Sequence, residues 1–134
     1  MTTEAKATFT VESWDEAPWD EQADLPKLTR ATVEKSLSGD LEGTSTTVWL
    51  MSYGADGSAD FVGIERVKCT VGGRAGSFVL QHIGRFDDGA ARASLVVIPG
   101  SGTGDLSGLS GEGSFVADPN GSITLELSFA SSEG

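Results

Sequence analysis

Eight stretches of this chain alternate apolar and polar residues with a period of two, and that alternation restricts the fold more than any other feature. They are "ATFTVESW" (7–14), "LTRATVEKSL" (28–37), "STTVWLMSY" (45–53), "DFVGIERVKCTV" (60–71), "RAGSFVLQHIGRF" (74–86), "ARASLVVI" (91–98), "GEGSFVA" (111–117) and "SITLELSF" (122–129). Each is rich in Val, Thr, Ile, Phe or Trp, and turn residues separate one from the next, as half-buried β-strands require. An open sheet of that size would leave two unpaired edges. An all-β fold, a closed antiparallel barrel or a sandwich of about eight strands, is therefore expected. The 134 residues suffice for one domain over 1–134 that buries a core without disulfide or metal.

The turns carry register information. "Ala55-Asp56-Gly57-Ser58", "Val71-Gly72-Gly73-Arg74" and "Asp87-Asp88-Gly89-Ala90" each place DG or GG between two strand-like runs. Such pairs supply the positive φ angles of two-residue hairpins. If all three are two-residue turns, Val67 faces Phe78, Glu65 faces Leu80 and Gly63 faces His82. On the neighbouring hairpins His82 then faces Leu95, Leu80 faces Val97 and Glu65 faces Val48. One face of the sheet collects Val48, Leu50, Phe61, Glu65, Val67, Cys69, Phe78, Leu80, His82, Leu95 and Val97. The other collects Trp49, Met51, Ile64, Val79, Ile83, Val96 and Ile98 together with Arg66, Lys68, Arg85 and Arg92. The basic residues mark the second face as the exterior. Its apolar members form a patch of the kind that marks an oligomer interface, so a homo-oligomer is expected.

Glu65 and the only histidine, His82, thus fall on the interior as diagonal neighbours on adjacent strands. An ionised carboxylate in an apolar lumen must pair, accept hydrogen bonds or take a raised pKa, and an imidazole beside it supplies part of each. Gly63 opposite His82, with Gly76 and Gly84 nearby, leaves volume for a small ligand. Two readings stay open: a catalytic acid–base pair, or a buried pair that fixes register. Under the first, Val48, Leu50, Phe78, Leu80 and Leu95 form the walls around an apolar substrate. The segment "WDEAPWDEQADLPK" (14–27) breaks the strand pattern with prolines and clustered acids. It is expected as a loop, either a lid carrying Trp14 or a solvated segment packed on the rim.

Other chemistries find little support. "PGSGTGDLSGLSGEG" (99–113) lacks the GK[ST] ending of a phosphate loop and the dinucleotide fingerprint, and reads as an irregular connection in which Ser101 and Thr103 could reach the barrel mouth. One His and one Cys give no basis for a metal site, and no cofactor is expected. Cys69 reads as a small core residue. The net charge of −11 argues against nucleic acid and anionic membrane surfaces as partners. The lone cysteine and the lack of a basic-then-apolar leader in "MTTEAKATFTVE" point to a cytoplasmic location.

The blocks "SWDE" (13–16), "KLTRATVEKSLSGDLEG" (27–43), "FVGIERVKCTVGGRAGSFVLQHIGRFDDG" (61–89) and "VIPGSGTGDLSGLSGEGSF" (97–115) resemble the bacterial DUF3224 family over nearly the whole chain. The resemblance implies an allene oxide cyclase-like barrel, a fold shared with plant dirigent proteins. Those relatives guide cyclisation or coupling of apolar small molecules and are commonly oligomeric. No catalytic residue carries over, because the family has no assigned function. The leading expectation is an isomerase or cyclase-type enzyme using Glu65 and His82. The alternatives are a non-catalytic binding protein for an apolar metabolite, and an oligomeric scaffold with a filled barrel.

Overall fold

The alternation closes on itself. In the computed structural model, which describes residues 2–117 and 120–129, the strands are β1 (Thr2–Asp20), β2 (Leu28–Gly39), β3 (Glu42–Tyr53), β4 (Ala59–Val71), β5 (Arg74–Asp87), β6 (Ala90–Val97), β7 (Thr103–Gly104), β8 (Ser110–Ala117) and β9 (Gly121–Ser128). Eight of them form an antiparallel ring in the order β1-β2-β3-β4-β5-β6-β8-β9, closed by the pairing of β9 with β1. A barrel of this kind has no edge to protect. The short β7 adds to the start of β5, continuing the line of β6.

Two of the three hairpins have the expected geometry. Val71 pairs with Arg74 and Asp87 with Ala90, and both residues of each turn have positive φ, as a two-residue hairpin requires. Glu65 therefore faces Leu80, and His82 faces both Gly63 and Leu95.

The third hairpin corrects the expectation. Tyr53 pairs with Ala59, and Gly54 N–H donates to Ser58 C=O, leaving Ala55-Asp56-Gly57 as a three-residue loop. Gly57 takes the left-handed conformation at φ 86° while Asp56 does not, and the Asp56 carboxylate accepts from the Ser58 N–H and hydroxyl. One extra loop residue slips the register by one, which reverses the faces of β3. Glu65 accordingly faces Thr47 instead of Val48. Trp49 and Met51 are buried in the lumen, Leu50 is exposed, and Val48 is half-buried on the outside.

The two ends of the barrel differ. At the end bearing the β4–β5 turn, the segment after β6 folds back and buries Leu106 and Leu109, beside Leu41 from the β2–β3 connection. Ser101 and Thr103 do not reach the mouth. Their hydroxyls accept the Val79 and Ser77 backbone N–H groups along β5, at the plugged end.

At the other end β1 runs on to Asp20, paired with β2 as far as Leu28. The expected loop over 14–27 is thus mostly strand, and only residues 21–27 connect. A bulge between Val11 and Ser13 shifts the alternation of β1. Residues before it face inward at Ala5, Ala7 and Phe9. Beyond it Trp14 and Glu16 pair with the inward-facing Val33 and Ala31.

Candidate functional site

Three cross-strand pairs set an aromatic cluster across the lumen. Trp49 lies opposite Gly63, Phe61 opposite Gly84 and Phe9 opposite Gly121. In each pair the ring covers the glycine. A Cβ at Gly63 would meet Trp49 Cδ1 at 2.4 Å, one at Gly84 would meet the tip of Phe61 at 2.5 Å, and one at Gly121 would meet Phe9 at 2.5 Å. The space expected beside His82 is therefore filled by the Trp49 indole, and that at Gly76 is closed by the Thr103 backbone and Leu106. Phe115 joins the cluster, with ring centroids 5.8 Å from Phe9, 6.0 Å from Trp49 and 5.4 Å from His82.

Beneath these rings lies a polar layer contributed by β2, β3, β4 and β5. Glu65 Oε1 stands 2.8 Å from His82 Nε2, Glu65 Oε2 accepts the Ser45 hydroxyl at 2.5 Å, and Lys35 Nζ is 3.5 Å from Oε2. The side chains of Lys35, Glu65 and His82 are 2%, 1% and 0% exposed. The Lys35 ammonium also sits 4.7 Å from the Phe9 ring centre, 5.0 Å from Trp49 and 5.3 Å from Phe115. It is an ammonium held by one carboxylate and three π faces. Thr47, facing Glu65 across the strands, has a buried hydroxyl without a hydrogen-bond partner among the described residues.

The hydrogen bonds assign the protons. The Trp49 indole N–H is only a donor and lies 3.2 Å from His82 Nδ1, so Nδ1 must accept. The ring proton is then on Nε2, donating to Glu65, and the imidazole is neutral. Burial pushes the His82 pKa down, and Lys35 pushes it the same way against the pull of Glu65. Burial opposes ionisation of Glu65, but the His82 hydrogen bond, the Lys35 charge and the Ser45 hydroxyl outweigh it and hold the carboxyl at about 2. Burial lowers the Lys35 pKa, and Glu65 opposes that shift. The charges are those of one Lys–Glu ion pair with a neutral imidazole bridging from Glu65 to the indole.

The open end holds a cavity of about 300 Å³ lined by Phe9, Val11, Trp14, Trp49, Met51, Tyr53, Ala59, Phe61, Phe86, Ala91, Phe115, Ala117 and the Gly57 backbone. Phe9, Trp49 and Phe115 belong both to this lining and to the cage around Lys35. At the rim, Glu16 ties two lining residues down. Its carboxylate accepts the Trp14 indole N–H at 3.0 Å and the Thr29 hydroxyl at 2.7 Å, and also the Tyr53 hydroxyl. Burial and the bond to Glu16 raise the Tyr53 pKa to about 12. Although partial burial works against it, the donors from Tyr53, Thr29 and Trp14 lower that of Glu16.

The residues singled out from sequence separate into four groups. Glu65 and His82 are brought together as expected. Trp14 lines the cavity, not on a lid but on a strand. Phe78, Leu80 and Leu95 are fully buried in the packed part of the lumen and do not line the cavity. Val48 and Leu50 lie outside the barrel and cannot touch a lumen ligand. Lys35 was missed, although it stands in phase with Ala31, Val33 and Leu37 in an alternating run, which is the signal of an inward-facing charge. Among the described residues no group of three or more His, Cys, Asp or Glu side chains is placed to hold a metal ion.

The fold and site define a closed eight-stranded antiparallel β-barrel with one extra strand, plugged at one end and hollow at the other. The chain belongs to the DUF3224 family: the family model, described as a protein of unknown function, matches residues 5–129. It is similar to the crystal structure of a DUF3224 protein of unknown function from Shewanella oneidensis MR-1. The two are 31% identical with a TM-score of 0.80, over 98% of this chain and 100% of that one. No protein of curated function matches the chain.

Proposed function

We propose that the open end of the barrel binds an apolar small molecule. The observation that carries this reading is the cavity itself, about 300 Å³ with walls built almost wholly from aromatic and aliphatic side chains. Cavities of that size and lining are those that take small ligands. Glu65 and His82 are saturated by Ser45, Lys35, Trp49 and each other, so they serve as the support under the cavity floor. The test is titration with a neutral apolar fluorophore such as N-phenyl-1-naphthylamine, on the natural chain and on Ala91→Trp. The tryptophan fills the mouth. Saturable fluorescence enhancement is expected in the first and its loss in the second; equal enhancement in both, with the variant folded by circular dichroism, would refute the site.

Acid–base turnover of the bound molecule, the isomerase or cyclase reading, is the second possibility. It is favoured by the sharing of Phe9, Trp49 and Phe115 between the cavity and the Lys35 cage. It requires the Trp49 indole to leave His82 so that an acid–base group can face the ligand. Deuterium incorporation from solvent into 2-tetralone, an apolar enolisable ketone, measures this directly. Equal exchange rates with the natural chain and Glu65→Gln would eliminate the reading.

Self-association is a separate proposal resting on the outer face of β3–β5. Leu50, Val62 and Ile83 form one cross-strand row, and Val48 and Ile64 an adjacent one. Leu50, Val62, Ile64 and Ile83 are 48%, 49%, 48% and 59% exposed. A second copy of the chain is the occupant proposed for this face. Light scattering should give a multiple of the chain mass that reverts to a single chain in Ile83→Lys; a single chain throughout would end the proposal.

A further inference from the structure

The cavity is apolar, but its two ends are not electrically alike. At the floor the Lys35 ammonium already lies against Phe9, Trp49 and Phe115, within 4.7 to 5.3 Å of their centres. A second positive charge at that depth would be repelled, and the π faces that would receive it are engaged. At the rim the order is reversed. Glu16 places a carboxylate between Trp14 and Tyr53, two walls of the cavity, and Oε1 accepts only the indole N–H, leaving an acceptor site free. Asp15, Asp20, Glu21 and Asp24 follow along the same end of β1 and its connection to β2.

An ammonium already occupies this rim. Lys27 Nζ sits 5.0 Å from the centre of the Tyr53 ring, in the field of Glu16. The chain's own side chain thus shows what the place accepts: a cation over an aromatic face, near enough to a carboxylate to feel its charge. Lys27 is exposed and reaches it on a flexible stem from the β1–β2 connection, so a ligand can displace it.

From the Glu16–Tyr53–Trp14 rim and the aromatic cavity beneath it we infer that the ligand is an amphipathic cation. Its flat or branched apolar body enters the cavity, and its ammonium stays at the mouth against Glu16 and Tyr53. The inference rests on the binding reading above and adds charge and orientation to it. Lys35 below and Glu16 above impose the same direction, apolar end inward. The acidity of the whole chain, −11, draws a cation to the opening and repels an anion.

The test compares three near-isosteric probes: 2-naphthylmethylamine, 2-naphthylmethanol and 2-naphthoate. Each is titrated at neutral pH and low salt into ¹⁵N-labelled protein while the indole N–H signals of Trp14 and Trp49 are followed. The amine should bind on the order of tenfold tighter than the alcohol, the combined scale of an exposed ion pair and a cation–π contact, and the naphthoate most weakly. Glu16→Gln should bring the amine to the level of the alcohol, read as the ratio of the two affinities within the same protein. Lys27→Gln, which removes the resident competitor, should tighten the amine alone. If amine and alcohol bind alike, or Glu16→Gln leaves their ratio intact, the cation inference falls while the cavity reading stands. Should Glu16→Gln fail to fold, an unchanged amine affinity in Lys27→Gln overturns the inference equally. If none of the three shifts the indole signals, the binding reading itself falls.

Discussion

Replacing Glu65 with glutamine removes one charge and almost nothing else, and the structure fixes the consequence. The amide oxygen can still accept from His82 and the amide group can still meet Ser45. Lys35, at 2% side-chain exposure, loses the one counter-charge it has among the described residues. The three rings around it return part of that loss, but they do not replace an anion 3.5 Å away. Breaking a buried ion pair from one side costs about 3–5 kcal/mol.

The carboxyl's own pKa shift has the same sign: His82, Lys35 and Ser45 hold it at about 2, below its ordinary 4.5, despite burial, so the fold favours the charged form that glutamine cannot supply. Domains of this kind have only about 5–15 kcal/mol of stability in total. The double variant Lys35→Met, Glu65→Gln removes both charges and should recover more than half of the loss, because a buried pair replaced by neutral groups of similar size is often neutral or stabilising. Urea unfolding followed by tryptophan fluorescence measures all four corners of the cycle, with Trp49 reporting from the site itself. If Glu65→Gln lies within about 1 kcal/mol of the natural chain, Lys35 is not a buried, charged partner of Glu65, and the ion-pair account is wrong.

Acid should weaken the fold in two stages. The His82 pKa is depressed, so below the ordinary histidine range the unfolded chain takes up a proton that the native imidazole refuses. Below pH 4.5 the unfolded chain protonates Glu65, while the native carboxyl resists until about 2. Both groups contribute stability that is present near neutrality and lost as pH falls; urea midpoints flat from pH 7 to 3 would contradict this. By NMR, the His82 ring should stay in the Nε2–H neutral form at pH 6.5, and Trp49→Phe, which removes the donor to Nδ1, should change its titration. Gly63→Ala should destabilise the barrel by about 1–3 kcal/mol through overpacking, since its Cβ would fall 2.4 Å from both Trp49 Cδ1 and the Val48 carbonyl oxygen. A variant as stable as the natural chain would show that the indole does not lie on that glycine. Burial raises the Cys69 thiol to about 11, so a disulfide reagent at pH 8 should modify it only on unfolding; rapid native modification would place it at the surface.

What could be read from sequence divides along one physical line. Alternation states that two residues share a face, but only the parity of each turn states which face neighbouring strands share. "VGGR" and "DDGA" are two-residue turns because both central positions adopt positive φ, and everything linked through them came out correctly: Glu65 beside His82, with Phe78, Leu80 and Leu95 inside. "GADGS" contains the same DG pair, yet Asp56 spends its side chain on Ser58 and only Gly57 is left-handed. That single residue moved Val48 and Leu50 out and Trp49 and Met51 in. The bulge in β1 did the same for Trp14 and Glu16, and no residue type in "TVESW" announces it.

The aromatic floor was therefore hidden by parity rather than by composition. Gly63, taken as empty space, is the seat of the one ring that fixes the histidine tautomer. Lys35 was readable without any turn at all, since Ala31, Val33 and Leu37 share its phase. An interior lysine implies a carboxylate within reach, and Glu65 is the only carboxylate that the two correctly read hairpins place in the lumen. The buried pair could thus have been deduced as Lys–Glu with a neutral histidine, which is a support for the aromatic floor before it is a catalyst.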